Sequence, residues 1–281
     1  MRPSASTTSP SSLATDVVAP TTRAAGTRIE TSTAIEVSNL TVRYRRNAAA
    51  ALSGVDLRVP DGETVALIGT NGAGKSTLLR CLVRLIEPAD GSVTIGGKEV
   101  TGASRRTLRE IRQDVGFVFQ RFHLIPRLTA FHNVVHGAMG RHGSRCAWPL
   151  TASSGVRRQA MESLDRVGLA AFADRRVDTL SGGQQQRVAI ARMLMQQPRV
   201  ILADEPVASL DPASANSVMD LMCAIAAERG VTVIVALHQI ELALRYSDRV
   251  VGLRNGVVEF DRPARDCDAT QLDSIYAEAV M

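Results

Sequence analysis

The stretch Gly69-Thr70-Asn71-Gly72-Ala73-Gly74-Lys75-Ser76-Thr77 fits the pattern GxxxxGK[ST]. Each residue type in it has a chemical reason. Glycines let the backbone curl so that successive N–H groups face an anion. A helix beginning near Lys75 adds its positive end. Lys75 is a compact point charge suited to β- and γ-phosphates, and Ser76 offers a hydroxyl to Mg²⁺. All but two of the 33 basic residues are arginines, the exceptions being Lys75 and Lys98. A lysine kept in so arginine-rich a chain calls for a chemical reason, and the phosphates of a nucleotide supply one.

A second cluster lies downstream. Leu202-Ala203-Asp204-Glu205-Pro206 ends an apolar run with two adjacent acids. Asp204 would hold Mg²⁺ through its water shell, and Glu205 would orient or deprotonate an attacking water. His238 follows the run Val231–Val235, where it could sense a γ-phosphate, and Gln120 follows Phe117-Val118-Phe119, within reach of the metal or the water. Neither carries weight without the phosphate loop. Leu180-Ser181-Gly182-Gly183-Gln184 is more discriminating. Ser181 and Gln184 form a capping box that would start a helix anyway. That does not explain Gly182-Gly183, since glycine inside a helix costs about 1 kcal/mol. Exposed N–H groups at such an end suit an anion. A second anion-binding helix end beside an existing phosphate loop suggests one ATP held between two copies of the chain.

These residues need elements to position them. Thr64–Ile68 is a continuous apolar run, as in a parallel strand buried on both faces. Gly116–Phe119, Val200–Ala203 and Val231–Val235 read the same way, with helical segments between them. Strands alternating with helices predict a parallel sheet with crossover helices. Ile35–Val37, Leu40–Tyr44 and Val55–Val59 alternate like strands, and a helix is expected from the phosphate loop through Leu78, Leu79, Leu82 and Leu85. Residues 121–198 hold no buried-type strand and read as a helical insertion. Val250–Leu253 and Val257–Phe260 flank Asn255-Gly256, a hairpin signal. Residues 1–33, rich in Ser, Thr, Ala and Pro, predict a disordered tail, residues 34–265 the folded domain, and 266–281 a helical tail.

Composition narrows the classes. No run approaches the ~18 apolar residues of a membrane helix, so work at a membrane would go through a partner. Cys81, Cys146, Cys223 and Cys267 are scattered without metal spacing and read as free thiols. The net charge of +5 would suit nucleic acid or an anionic membrane face. No basic patch interleaved with aromatics supports nucleic acid, and the arginines at 105, 106, 109 and 112 read as a solvated helix face.

Taken in order, the motifs resemble those of the nucleotide-binding subunits of ABC transporters over about residues 35–265. The resemblance implies an α/β P-loop NTPase core with a mainly parallel sheet, an N-terminal antiparallel β subdomain and an inserted helical subdomain. It gives Tyr44 the place of the aromatic that stacks on adenine, Gly69–Thr77 that of the Walker A loop, and Gln120 that of the Q-loop glutamine. Ser181, Gly182, Gly183 and Gln184 take the place of the signature motif. Asp204 is similar to the Walker B acid and Glu205 to the catalytic glutamate. Asp211 belongs to a D-loop-like Ser209-Leu210-Asp211, and His238 resembles the switch histidine. Implied with these are ATP and Mg²⁺, a head-to-tail homodimer, and a membrane permease docking near the Q-loop. An extracytoplasmic binding protein acts indirectly, and the chain is placed on the cytoplasmic face of a bacterial membrane.

Stretches such as Phe119–Leu128 and Leu237–Tyr246 are most similar to the ATPases of phosphonate importers, which implies uptake of phosphonates or a related phosphorus oxyanion. The extra Ser/Thr tail and the lack of a glycine at Asp261-Arg262-Pro263 depart from that pattern. Competing expectations are an importer of another small solute, an exporter, or a soluble ABC ATPase. The last usually carries a coiled-coil insertion or a second ATPase domain, and neither is visible between Gln120 and Ser181 or elsewhere.

Overall fold

A computed structural model describes residues 32–44, 49–148, 150–268 and 272. The tail assigned to 1–33 lies outside the described residues up to position 31, and most of the tail assigned to 266–281 lies outside them too. Thr33 already belongs to the first strand.

Two sheets organise residues 32–268. The larger runs β10-β9-β3-β8-β7-β6. Its strands are β3 (Thr64–Ile68), β6 (Val115–Val118), β7 (Val200–Asp204), β8 (Thr232–Ala236), β9 (Arg249–Arg254) and β10 (Val257–Pro263). All neighbours pair in parallel except β9 and β10. These two are joined by Asn255-Gly256 with φ of 50° and 80°, as a two-residue hairpin turn requires. β3 explains why central strands read as unbroken apolar runs. Its Val65 and Leu67 enter one core while Ala66 and Ile68 enter the other on the opposite face.

The smaller sheet, β2-β1-β4-β5, is antiparallel. It comprises β1 (Thr33–Val42), β2 (Leu52–Pro60), β4 (Asp90–Ile95) and β5 (Lys98–Glu99). β4 and β5 escaped the sequence reading. β4 opens on Asp90-Gly91-Ser92 and buries only Val93 and Ile95. The turn that should have flagged it is Gly96-Gly97, both with positive φ, between Ile95 and Lys98. Helix α1 (Lys75–Leu82) is sandwiched between the sheets and ends before Leu85. Arg84 turns left-handed at φ 50°, leaving Leu85 52% exposed.

After α2 (Arg105–Asp114) and β6, the chain between β6 and β7 is helical among the described residues. It contains α3 (Ala130–Val135), α4 (Met139–His142), α5 (Ser154–Arg166) and α6 (Gly182–Leu194). α7 (Pro212–Arg229) and α8 (Ile240–Tyr246) complete the crossovers. No helix of the described residues is long and apolar enough to cross a membrane. The cysteines are free, and burial pushes the Cys81 thiol to about 12 and the Cys223 thiol to about 11, which keeps them protonated and unreactive.

Candidate nucleotide site

In an open parallel sheet, ligands collect at the carboxyl ends of the strands. Here β3 ends into the phosphate loop, β7 ends on Asp204, β8 ends two residues before His238, and β6 ends two residues before Gln120. Strand order therefore brings four separated motifs to one edge.

The loop from Gly69 to Gly74 is shaped by two glycines in particular. Gly69 has φ 149°, and a Cβ there would lie 2.2 Å from the Leu253 carbonyl oxygen. Gly74 has φ 109°, and its Cβ would lie 2.7 Å from Leu52 Cδ2. A side chain at either would displace backbone or core. Gly74 is also the N-cap of α1, and no side chain caps that helix. Its first N–H groups are thus left for an anion. Lys75 is 4% exposed, and its Nζ donates to Gly69 O at 2.6 Å and Thr70 O at 3.2 Å. Burial lowers its pKa, against the opposing fields of Glu205 and Asp204.

Asp204 is 2% exposed and fully engaged. Oδ1 accepts from Ser76 Oγ at 2.6 Å, and Oδ2 takes Arg80 Nη2 at 3.2 Å. Glu205 follows with φ 51°, a left-handed conformation costing on the order of 1–3 kcal/mol in a non-glycine residue. Oε2 accepts from Gln120 Nε2 at 2.9 Å, and Oε1 lies 2.5 Å from His238 Nε2. Glutamine, glutamate and histidine thus form one linked triplet. A carboxylate gripped from both sides is aimed, and release of either partner frees an oxygen for a water proton. Tyr44 stands at the rim, 61% exposed, with its hydroxyl 2.9 Å from Thr77 Oγ1.

Ser76 Oγ and Asp204 Oδ1 are hard oxygen donors already within hydrogen-bond distance of each other. Among the described residues no cluster of His, Cys, Asp and Glu could cage a metal by itself. That donor set fits Mg²⁺, which takes one or two protein oxygens and completes its shell with phosphate and water.

Ser181, Gly182, Gly183 and Gln184 stand apart from this group. Ser181 caps α6, and the box is closed on itself: Gln184 N donates to Ser181 Oγ at 3.3 Å, and Ser181 N donates to Gln184 Oε1 at 3.0 Å. The neighbours of the glycine pair belong to α7 and the loop before it. A Cβ on Gly183 would meet Ser214 Oγ at 3.3 Å, so packing alone restricts that position. A Cβ on Gly182 would meet only Leu210 Cδ2 at 3.6 Å, an ordinary contact, so the fold of this chain does not demand glycine there. Asp211 is also exposed and caps α7, accepting from Ser214 N at 3.0 Å.

Two residues were invisible to sequence reasoning. Arg80 braces Asp204, as above. Arg192, nearly three turns along α6, donates to His123 O at 2.5 Å and Phe122 O at 2.9 Å. It ties the helix that begins at Ser181 to the segment that carries Gln120. In so arginine-rich a chain, a single arginine gives no signal of its own.

Comparison with known proteins gives the family. Residues 52–208 match the family model described as ABC transporter. The chain is 50% identical over 238 residues to a phosphonates import ATP-binding protein of Nocardia farcinica, covering 85% of this chain and 89% of that protein. It is also 50% identical over 235 residues to a phosphate-import ATP-binding protein of Mycolicibacterium smegmatis, covering 84% and 89%. Among solved structures, it resembles a dimeric ATP-binding cassette in a post-hydrolysis state bound to ADP and Pi. That match has a TM-score of 0.72 at 36% identity, covering 83% of this chain and all of the other. The cbiO1 protein of Clostridium perfringens, part of a transporter complex, gives a TM-score of 0.74 at 28% identity, covering 89% and 94%. The chain belongs to the ABC transporter family.

Proposed function

We propose that this chain is the ATP-hydrolysing subunit of an importer for phosphonates or a closely related phosphorus oxyanion. The observation that carries the ATPase is the Gln120–Glu205–His238 triplet beside the phosphate loop, which provides an aimed base next to a phosphate cradle. Lys75 and the α1 N-terminus hold the β- and γ-phosphates, Ser76 and Asp204 hold Mg²⁺, and Tyr44 stacks on the base. When bound, Mg²⁺ neutralises charge building on the transferred phosphoryl group. Glu205 takes the proton of the attacking water, Gln120 positions that water, and His238 holds the γ-phosphate end.

The exposed N-terminus of α6 serves the nucleotide of a second copy, so the working unit is a head-to-tail homodimer. A groove of about 360 Å³ beside Gln120, lined by Val83, Leu85, Phe117, Phe119, His136 and Met193, seats the permease. The subunit lies on the cytoplasmic face of the membrane, and an extracytoplasmic binding protein delivers cargo to the permease. Residues 34–265 act as the ATPase domain.

The relatives' names support the cargo, and they differ. One names phosphonates and another phosphate at the same identity, which makes phosphate import the second reading. Deletion of the coding sequence, followed by growth on alkylphosphonate, phosphite or phosphate as sole phosphorus source, separates them. Lost growth on phosphonate alone supports the first reading and lost growth on phosphate the second. Unchanged growth on all three removes both cargos and leaves the ATPase.

A further inference from the structure

The arginines at 105, 106, 109 and 112, expected from sequence to form one solvated helix face, divide into two groups in the structure. Arg106 pairs with Glu110 at 3.4 Å along the outer side of α2. Arg105, Arg109 and Arg112, spaced i, i+4, i+7, share one stripe and line a cavity of about 500 Å³. Arg141, from α4, lines it from the opposite side, and Leu108 contributes an apolar wall. Four guanidinium groups line this space and no carboxylate does.

The four are not equivalent. Arg112 is anchored, donating to Val83 O and Arg84 O, both at 2.9 Å. Arg141 is anchored too, donating to Gln196 O at 2.6 Å, Gln113 O at 3.0 Å and Asp114 Oδ1 at 2.9 Å. Arg105 and Arg109 have no hydrogen-bond or ion-pair partner among the described residues. Two fixed cations thus stand beside two uncommitted ones, in a concavity of small-molecule size. Planar forks bind oxyanions bidentately, and the two uncommitted ones, with the N–H groups that Arg112 and Arg141 retain, offer more donors than the two oxygens of a carboxylate accept. A tetrahedral phosphorus oxyanion presents three or four oxygens in diverging directions. A nucleic-acid footprint would be an extended basic stripe with aromatics, and this is one closed patch.

We infer that Arg105, Arg109, Arg112 and Arg141 form a second anion site, separate from the phosphate loop, for a phosphate or phosphonate group. The group comes either as a free ion or as the headgroup of an anionic lipid. Because α2 joins the strand core and α4 belongs to the helical insertion, an anion held between Arg109 and Arg141 would link the two.

The test uses the full chain saturated with ADP. Binding of inorganic phosphate and of methylphosphonate is followed by ³¹P NMR line broadening. Co-sedimentation is measured with phosphatidic acid/phosphatidylcholine vesicles, whose phosphomonoester presents three free oxygens, and with phosphatidylcholine vesicles alone. Arg105→Gln/Arg109→Gln is compared with wild type and with Lys75→Ala, which disables the phosphate loop. Neither arginine has a partner to lose, so the double variant should fold normally, and ATP hydrolysis is measured on the same samples. The expected result is anion binding that survives Lys75→Ala and weakens at least ~10-fold in the double variant. Phosphate binding without selective vesicle binding identifies a free ion, and the converse identifies a headgroup. Equal behaviour of wild type and double variant in both arms, or no binding in either, overturns the site. With ATP hydrolysis retained, that outcome leaves the proposed function standing.

Discussion

The carboxyl edge of the parallel sheet and the N-terminus of α6 differ in how completely they are built within one chain. At the sheet edge the polar groups are already joined. Lys75 bonds to its own loop, Ser76 and Arg80 hold Asp204, and Gln120 and His238 grip Glu205. Asp204 and Lys75 are almost wholly buried. At the tip of α6, Ser181 and Gly182 are exposed and Gly183 and Gln184 half-buried, Ser181 and Gln184 bond to each other, and the glycine pair packs against α7 and the loop before it. The first region is preorganised by strand order. The second is a self-capped helix N-terminus with room at Gly182, and that difference is the physical basis for proposing a shared site.

The comparison can be broken at either end. Glu205→Gln should keep nucleotide affinity and cut steady-state hydrolysis by at least ~100-fold, the scale of a general base, with an ATP-bound dimer accumulating in size-exclusion chromatography. Turnover near wild type would remove Glu205 as the base. Arg192→Met removes the tie between the two regions. Two hydrogen bonds from a cation are lost, so hydrolysis should fall about tenfold while ATP binding to the monomer is unchanged. Amide exchange at residues 121–124 should rise as the segment is released. Gly182→Ala sharpens the α6 end, because the chain has room for the methyl group. Thermal stability should be preserved or slightly raised, since alanine favours helix by up to ~1 kcal/mol. Hydrolysis should still fall several-fold, and undiminished hydrolysis would mean that nothing approaches that backbone. Tyr44→Ala should raise the KM for ATP about fivefold, the loss of one stacked base at ~1 kcal/mol, with kcat little changed.

The difference between the regions also explains what could be read from sequence. The phosphate loop, Asp204-Glu205 and the run from Ser181 to Gln184 are contiguous motifs, each with residue types that chemistry dictates. The parallel sheet was legible because its strands are buried on both faces and leave unbroken apolar runs. β4 and β5 were not, since two buried side chains behind a polar start make no pattern. The extension of α1 to Leu85 was misjudged because a leucine at helical spacing looks the same whether it is buried or lines an exposed groove. Arg80 and Arg192 act through carboxylate and carbonyl partners more than 65 residues away in sequence, and only the folded chain brings those together. The stripe at 105, 109 and 112 was seen, but Arg141 on the facing helix was needed to turn a face into a cavity.

The central claim, that each site takes its phosphate loop from one copy and its α6 tip from the other, is tested most directly by mixing two inactive variants. Lys75→Ala disables a loop, and Ser181→Arg blocks an α6 tip. Each should be inactive alone, with Ser181→Arg still binding ATP as a monomer. In the mixed dimer, one site combines the intact loop of the Ser181→Arg subunit with the intact tip of the Lys75→Ala subunit. An equimolar mixture should therefore recover roughly a quarter of wild-type ATP hydrolysis if the sites act independently, since half the dimers are mixed and each has one good site. If every ratio stays at the level of the separate variants, loop and tip serve the same chain's nucleotide and the shared-site account is contradicted.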